Sequence, residues 1–301
     1  MKTTAAFVYL FAITGLFILS CKKDSFILSK DARITITADT IKYDTVFTQV
    51  GSVTQSFKIV NENNQKLRLN SVKLMGGSSS NYKINVDGLA VTEATNVEIG
   101  ANDSIYVFVQ VNVDPNAANL PFVLRDSIKV SYNGNDDLVQ LEAWGQNAHF
   151  LRNKEVLVNE TWTNDKPYVI LDGITIAKDA KLTIEKGSRI YFHANSPMLV
   201  DGSLEVKGEK YDSTRVRFLG DRLDAPYKDY PGAWPGIHFR TDSRDNIMEF
   251  AVISNAFQGI IIDQPATGVN PKLILNESVI QNCFDAGMIG IRGTVRSRMR
   301  R

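Results

Sequence analysis

Residues 221–235 bring together the side chains best suited to chemistry. Asp221, Asp224 and Asp229 stand among Tyr227, Tyr230 and Trp234, with Lys228 between them. Carboxylates beside aromatic rings could bind a sugar, and the same acids could ligate Ca²⁺. The plainer reading is a solvated loop in which Trp234 covers apolar surface. Elsewhere the sequence offers less. His238 is followed by Arg240, Asp242, Arg244 and Asp245, yet no ordered spacing sets a base against a nucleophile. His193 reads as a polar residue at a bend, and Asp263 and Glu277 do not form a pair one repeat apart. Cys283 aligns with the small Ala256 and reads as a core thiol. No catalytic residue and no metal ligand set is therefore assigned, and three histidines in 301 residues argue against a histidine-rich metal centre.

The elements that must carry these residues are short and extended. From 149 onward, brief apolar runs such as Ile174-Thr175-Ile176, Leu182-Thr183-Ile184 and Leu204-Glu205-Val206 recur with glycines at their ends and no helical stripe between them. Two longer blocks match each other: Ala251 to Gly259 aligns with Ser278 to Asp285, which sets Asn255 and Asn282 27 residues apart. That spacing predicts a chain that returns on itself as a parallel β-helix, each strand pairing with the next coil. An Asn repeated at the bend predicts a side-chain hydrogen-bond ladder along the stack. Residues 30–148 instead alternate apolar and polar positions, most clearly at Ile105, Val107, Val109, Val111 and Val113. Period two with one apolar face predicts half-buried strands, seven to nine of them, packed as an antiparallel β-sandwich.

Composition excludes some functions. At 44% apolar and 22% charged the chain is globular in type. The formal charge of +1 includes Arg292, Arg296, Arg298, Arg300 and Arg301, and without them it would be −4. Composition thus implies no basic surface for the body and argues against nucleic acid as a partner.

Three resemblances add expectations. The apolar run Ala5 to Ser20, ending Ile18-Leu19-Ser20-Cys21 before Lys22-Lys23, resembles a bacterial lipobox. It implies a lipoprotein signal peptide over 1–20, lipid on Cys21, a tether over 21–29, and attachment to a membrane, at the outer membrane facing periplasm or surface. The stretch Gly51 to Asn61 resembles immunoglobulin-like modules of the ASPM/SPD-2/Hydin type found in Bacteroidetes surface proteins. Leu171 to Phe192, Leu199 to Gly208 and Trp234-Pro235-Gly236-Ile237 resemble right-handed parallel β-helix proteins of the same group. Together they imply an all-β chain: an immunoglobulin-like β-sandwich over 30–148, then a right-handed parallel β-helix over 149–301. Relatives of that kind continue for further coils, so the Arg-rich end reads as a truncated or frameshifted finish. The implied function is a surface protein, structural or binding, that engages a glycan or a partner protein. The alternative is a carbohydrate-active enzyme, a polysaccharide lyase or hydrolase. Lyases of this type need carboxylates on adjacent coils and a basic residue, a cluster not visible here, so binding is favoured over catalysis.

Overall fold

The computed structural model describes residues 25–47, 52–113, 122–265 and 270–298. Cys21, the leading segment, Arg300 and Arg301 lie outside the described residues. The chain is all-β. In chain order the strands are β1 (Ile34–Ile36), β2 (Thr40–Phe47), β3 (Gln55–Asn61), β4 (Leu67–Leu74), β5 (Tyr82–Val86), β6 (Leu89–Val91), β7 (Glu93–Ile99), β8 (Ser104–Val111), β9 (Phe122–Tyr132) and β10 (Asn135–Gln146). They continue as β11 (His149–Val156), β12 (Glu160–Trp162), β13 (Tyr168–Ile176), β14 (Lys181–Glu185), β15 (Arg189–Phe192), β16 (Met198–Val200), β17 (Ser203–Lys207) and β18 (Val216–Gly220). The last are β19 (Ile237–Phe239), β20 (Asn246–Glu249), β21 (Ala251–Ser254), β22 (Gln258–Asp263), β23 (Leu273–Asn276), β24 (Val279–Gln281), β25 (Ala286–Ile291) and β26 (Val295–Arg298).

The chain divides into two compact units. The first takes Met1–Ile41, Thr54–Gln110 and Arg125–Glu142, and the second Lys42–Val53, Val111–Leu124 and Ala143–Arg301. Strands β1 to β10 form two five-stranded sheets, ordered β1-β3-β8-β5-β6 and β2-β10-β9-β4-β7. Alternation governs them as the period-two pattern requires. β8 buries Ile105, Val107, Val109 and Val111 and turns Tyr106, Phe108 and Gln110 outward. At the end of β3 the buried Asn61 donates its amide to the carbonyls of Gln65, Ile99 and Gly100, so three stranded acceptors are satisfied by one side chain.

From β11 onward the strands pair in parallel. One sheet runs β12-β14-β17-β20-β23-β26. The other follows the path β24-β21-β18-β15-β13-β16-β19-β22-β25, with β11 beside β13. Partners are one return of the chain apart: Leu182 lies against Leu204, Ile190 against Phe218, and Ile253 against Ile280. Buried Leu182, Leu204, Ile190, Phe218, Ile253 and Phe239 belong to a single continuous core. Each such side chain withdraws apolar surface worth about 1.5–3 kcal/mol from water.

These sheets correct the expected architecture. The chain is not an antiparallel immunoglobulin-like sandwich followed by a right-handed β-helix. It consists of mixed and parallel sheets, and nine strands form one parallel path whose two ends, β24 and β25, touch so that it nearly closes. By contacts, Lys42–Val53 and Val111–Leu124 group with the later residues. The path is continuous because β13 is long enough to serve two neighbours. Its Tyr168–Ile170 half pairs with β15 and its Ile174–Ile176 half with β16. Between the halves Asp172 and Gly173 take φ values of 61° and 98°, a bend that glycine adopts without steric cost. Sequence periodicity reports that strands recur, not which sheet each one joins.

The expected asparagine ladder is present. Asn282 Nδ2 donates to Asn255 Oδ1 at 2.8 Å, and both residues take the left-handed backbone, with φ of 52° and 62°. Cys283 is only partly buried, packed at the margin of the core, and not the interior thiol its alignment with Ala256 suggests.

Candidate functional site

The 221–235 segment leaves the end of β18, returns beside Asn255 and Ala256 and leads into β19. Its outer turn is a single turn of 3-10 helix, Tyr227–Asp229. The asparagine ladder holds this turn from beneath: Asn255 Nδ2 donates to Lys228 O at 2.5 Å and Asn282 Nδ2 to Asp229 O at 2.9 Å. On the return leg, Ala233 N–H donates to Asn255 O at 2.8 Å. Trp234 then enters the core. It is fully buried, stacks on Phe192 with ring centroids 4.2 Å apart, and donates its indole N–H to Ser254 O at 2.9 Å. The loop is thus fixed at both ends and along its base.

What the loop presents is aromatic. Tyr227 and Tyr230 are 47% and 52% exposed and meet edge to face at 5.6 Å. Phe257 and Phe284, 44% and 65% exposed, stack at 5.3 Å, and Phe284 lies against Gly232 of the loop. Four exposed rings on one flank are hard to explain by core packing.

At the root of the loop, Asp221 Oδ2 is 2.7 Å from His193 Nδ1. The Asp221 side chain is 6% exposed and that of His193 52%. Burial pushes the Asp221 carboxyl above the usual carboxylate range, against the opposing pull of His193. Asp224 behaves oppositely. Arg222 donates to both its oxygens at 2.8 Å and holds its carboxyl below the usual range. The same guanidinium sits 3.9 Å over the Tyr227 ring. Two acids three positions apart are driven in opposite directions, the arrangement that separates a proton donor from a permanent charge.

A second pair lies along β19 and β22, where His238 Nε2 is 2.8 Å from Asp263 Oδ2. Nearby, the wholly buried Lys272 donates to the carbonyls of Arg240, Thr241 and Asp263, while Arg240 clamps Asp201. Burial lowers the Lys272 ammonium below the ordinary lysine value. Every charge in this second cluster faces an internal partner, which makes it a closed structural network.

The six expected site residues therefore separate. Asp221, Asp224, Tyr227 and Tyr230 gather at the loop, Asp229 contributes its backbone carbonyl to the asparagine ladder, and Trp234 is core. Among the described residues, no three His, Cys, Asp or Glu side chains are placed to hold a metal ion, so the Ca²⁺ expectation finds no ligand set there. The expectation that weighed against catalysis is corrected. It rested on a missing cluster of carboxylates on adjacent coils with a basic residue, whereas the parallel, nearly closed scaffold sets the His193 imidazole against the buried Asp221 carboxyl. His193, Phe257 and Phe284 were not singled out from the sequence as site residues. A signal existed: His193 and Asp221 are separated by the same 28 residues as the β15–β18 partners Ile190 and Phe218, and Phe257 and Phe284 by the 27 of the β21–β24 partners.

No family model matches the chain, and no curated protein matches it in sequence. Among solved structures, partial similarity is found to a family 123 glycoside hydrolase from Clostridium perfringens, with a TM-score of 0.27 and 13% identity over 38% of this chain and 26% of that one. Another is the Salmonella enterica SafA pilin in complex with the SafB chaperone, with a TM-score of 0.25 and 12% identity over 40% of this chain and 57% of that one. The chain matches about a quarter of the first and somewhat over half of the second, and overlaps of this size assign neither a family nor an activity.

Proposed function

We propose that the chain is a carbohydrate-active protein that holds a glycan against the aromatic flank and cleaves it with the two aspartates of the loop. The observation that carries this reading is the buried Asp221 carboxyl, paired with half-exposed His193 at the foot of a loop bearing exposed rings. Sugar rings present apolar C–H faces that pack on Tyr227, Tyr230, Phe257 and Phe284, while their hydroxyls need the polar groups beside them. Asp221, whose carboxyl burial makes easier to protonate, gives its proton to the glycosidic oxygen as the C–O bond breaks. Asp224, kept ionised by Arg222, takes a proton from the water that adds to the sugar carbon. His193 orients Asp221.

The test is turnover of a panel of neutral and acidic polysaccharides, measured as new reducing ends, alongside mobility in native gels cast with each polymer. The expected result is turnover of at least one polymer, lost in Asp221→Asn with gel retardation kept, and loss of turnover together with retardation by neutral polymers in Tyr230→Ala. Retardation without turnover removes the catalytic half of the proposal. A chain that neither cleaves nor is retarded by any polymer removes all of it.

A further inference from the structure

The first unit carries a second aromatic feature, remote in sequence from the loop. On β8, Tyr106 and Phe108 face outward, 43% and 39% exposed, with ring centroids 5.6 Å apart and planes within 16° of parallel. Their inward neighbours Ile105, Val107 and Val109 complete the core, so packing accounts for every second residue of β8 but not for these two. Across the ladder, Lys58 stands directly opposite Tyr106 and Ser56 opposite Phe108. Lys58 Nζ lies 4.7 Å over the Tyr106 ring. On the other side of β8, β5 turns Lys83 and Asn85 outward, and Lys83 has no ion pair among the described residues. The outward positions of these three strands, Ser56, Lys58, Val60, Lys83, Asn85, Ser104, Tyr106, Phe108 and Gln110, include two lysines and no carboxylate.

We propose that this sheet face is a separate binding site for an acidic polysaccharide, one bearing carboxylates along a chain of sugar rings. Near-parallel rings on a strand offer a flat apolar strip to the C–H faces of successive sugars. The hydroxyl and amide groups of Ser56, Asn85 and Gln110 suit sugar hydroxyls, and Lys58 and Lys83 supply the positive charge that distinguishes an acidic polymer from a neutral one. A partner protein fits less well, because the strip is narrow and its charge has one sign. The site is independent of the loop's proposed activity, since none of its residues belongs to the second unit.

The experiment uses the full chain in native gels containing polygalacturonate, with hydroxyethylcellulose as the neutral control and Tyr230→Ala as the background that disables the loop. The Tyr230→Ala protein should be retarded by polygalacturonate and hardly at all by the neutral polymer. Adding Tyr106→Ala and Phe108→Ala should weaken retardation roughly tenfold, and Lys58→Gln several-fold with a flattened salt dependence. These side chains face solvent, so the melting temperature should be unchanged, which separates lost binding from lost folding. The proposal is overturned if the Tyr230→Ala background is not retarded, if the double substitution leaves retardation within twofold, or if both polymers are bound equally.

Discussion

Trp234 is the sharpest test of how the loop is built, because its ring should act as a structural anchor and not as a ligand contact. Replacing it with alanine removes a fully buried ring, empties the space against Phe192, and leaves Ser254 O without its donor. Buried Trp-to-Ala changes cost about 3–5 kcal/mol. Phenylalanine at the same position keeps the stack on Phe192 but loses the 2.9 Å hydrogen bond to Ser254 O, a buried acceptor whose loss costs about 1–3 kcal/mol. The two variants should therefore differ by about 2 kcal/mol. Urea unfolding of the full chain, followed by near-ultraviolet dichroism, reads this difference. With a denaturant slope of about 1–3 kcal/mol per molar, Trp234→Ala should lower the midpoint of the second unit by about 1–5 M, and Trp234→Phe by about half as much. A Trp234→Ala midpoint within about 0.3 M of wild type would refute the anchor. Equal shifts for the two variants would show that the hydrogen bond, not the stack, holds the loop.

Other consequences follow from the same geometry. Asn282→Ala removes the bonds to Asn255 Oδ1 and Asp229 O and leaves a left-handed residue without its local side-chain support, at a cost of about 1–2 kcal/mol. Hydrogen exchange should quicken across 227–232 and not in the first unit. Asp221 has a folded carboxyl raised above its unfolded value, so the native state holds the proton more tightly and stability is lost as pH rises from about 3.8 through the raised value. Thermal melts of Asp221→Asn should gain on wild type across that window, and a gain that instead appears on acidification would reverse the assigned sign. Gly236→Ala places a Cβ 1.7 Å from Gln258 O at a φ of 120°, so soluble protein should be lost, and a variant that folds normally would contradict the close approach of these strands. Burial raises the Cys283 thiol, so alkylation near neutral pH should be far slower in the native chain than in urea, and equal rates would place the sulfur in open solvent.

What the sequence determined by itself was local. Alternation at 105–113 reported the half-buried strands, because a pleated strand with one wet face imposes period two. The 27-residue match between the Asn255 and Asn282 blocks reported the ladder, because a bend repeated after one return puts like side chains in contact. The acid and aromatic content of 221–235 marked the loop, where Tyr227 and Tyr230 are exposed. Tertiary structure decided the rest. The sign of a side chain's exposure at a chain bend does not follow from periodicity, so Trp234 could be read as platform or as plug until its ring was seen against Phe192. The joining of strands into one nearly closed path depends on β13 pairing with two neighbours, a choice made by contacts between residues 22 and 24 positions apart. The same is true of the opposed Asp221 and Asp224. Both are aspartates in one loop, and only burial beside His193 for the first and the Arg222 clamp on the second make them different acids.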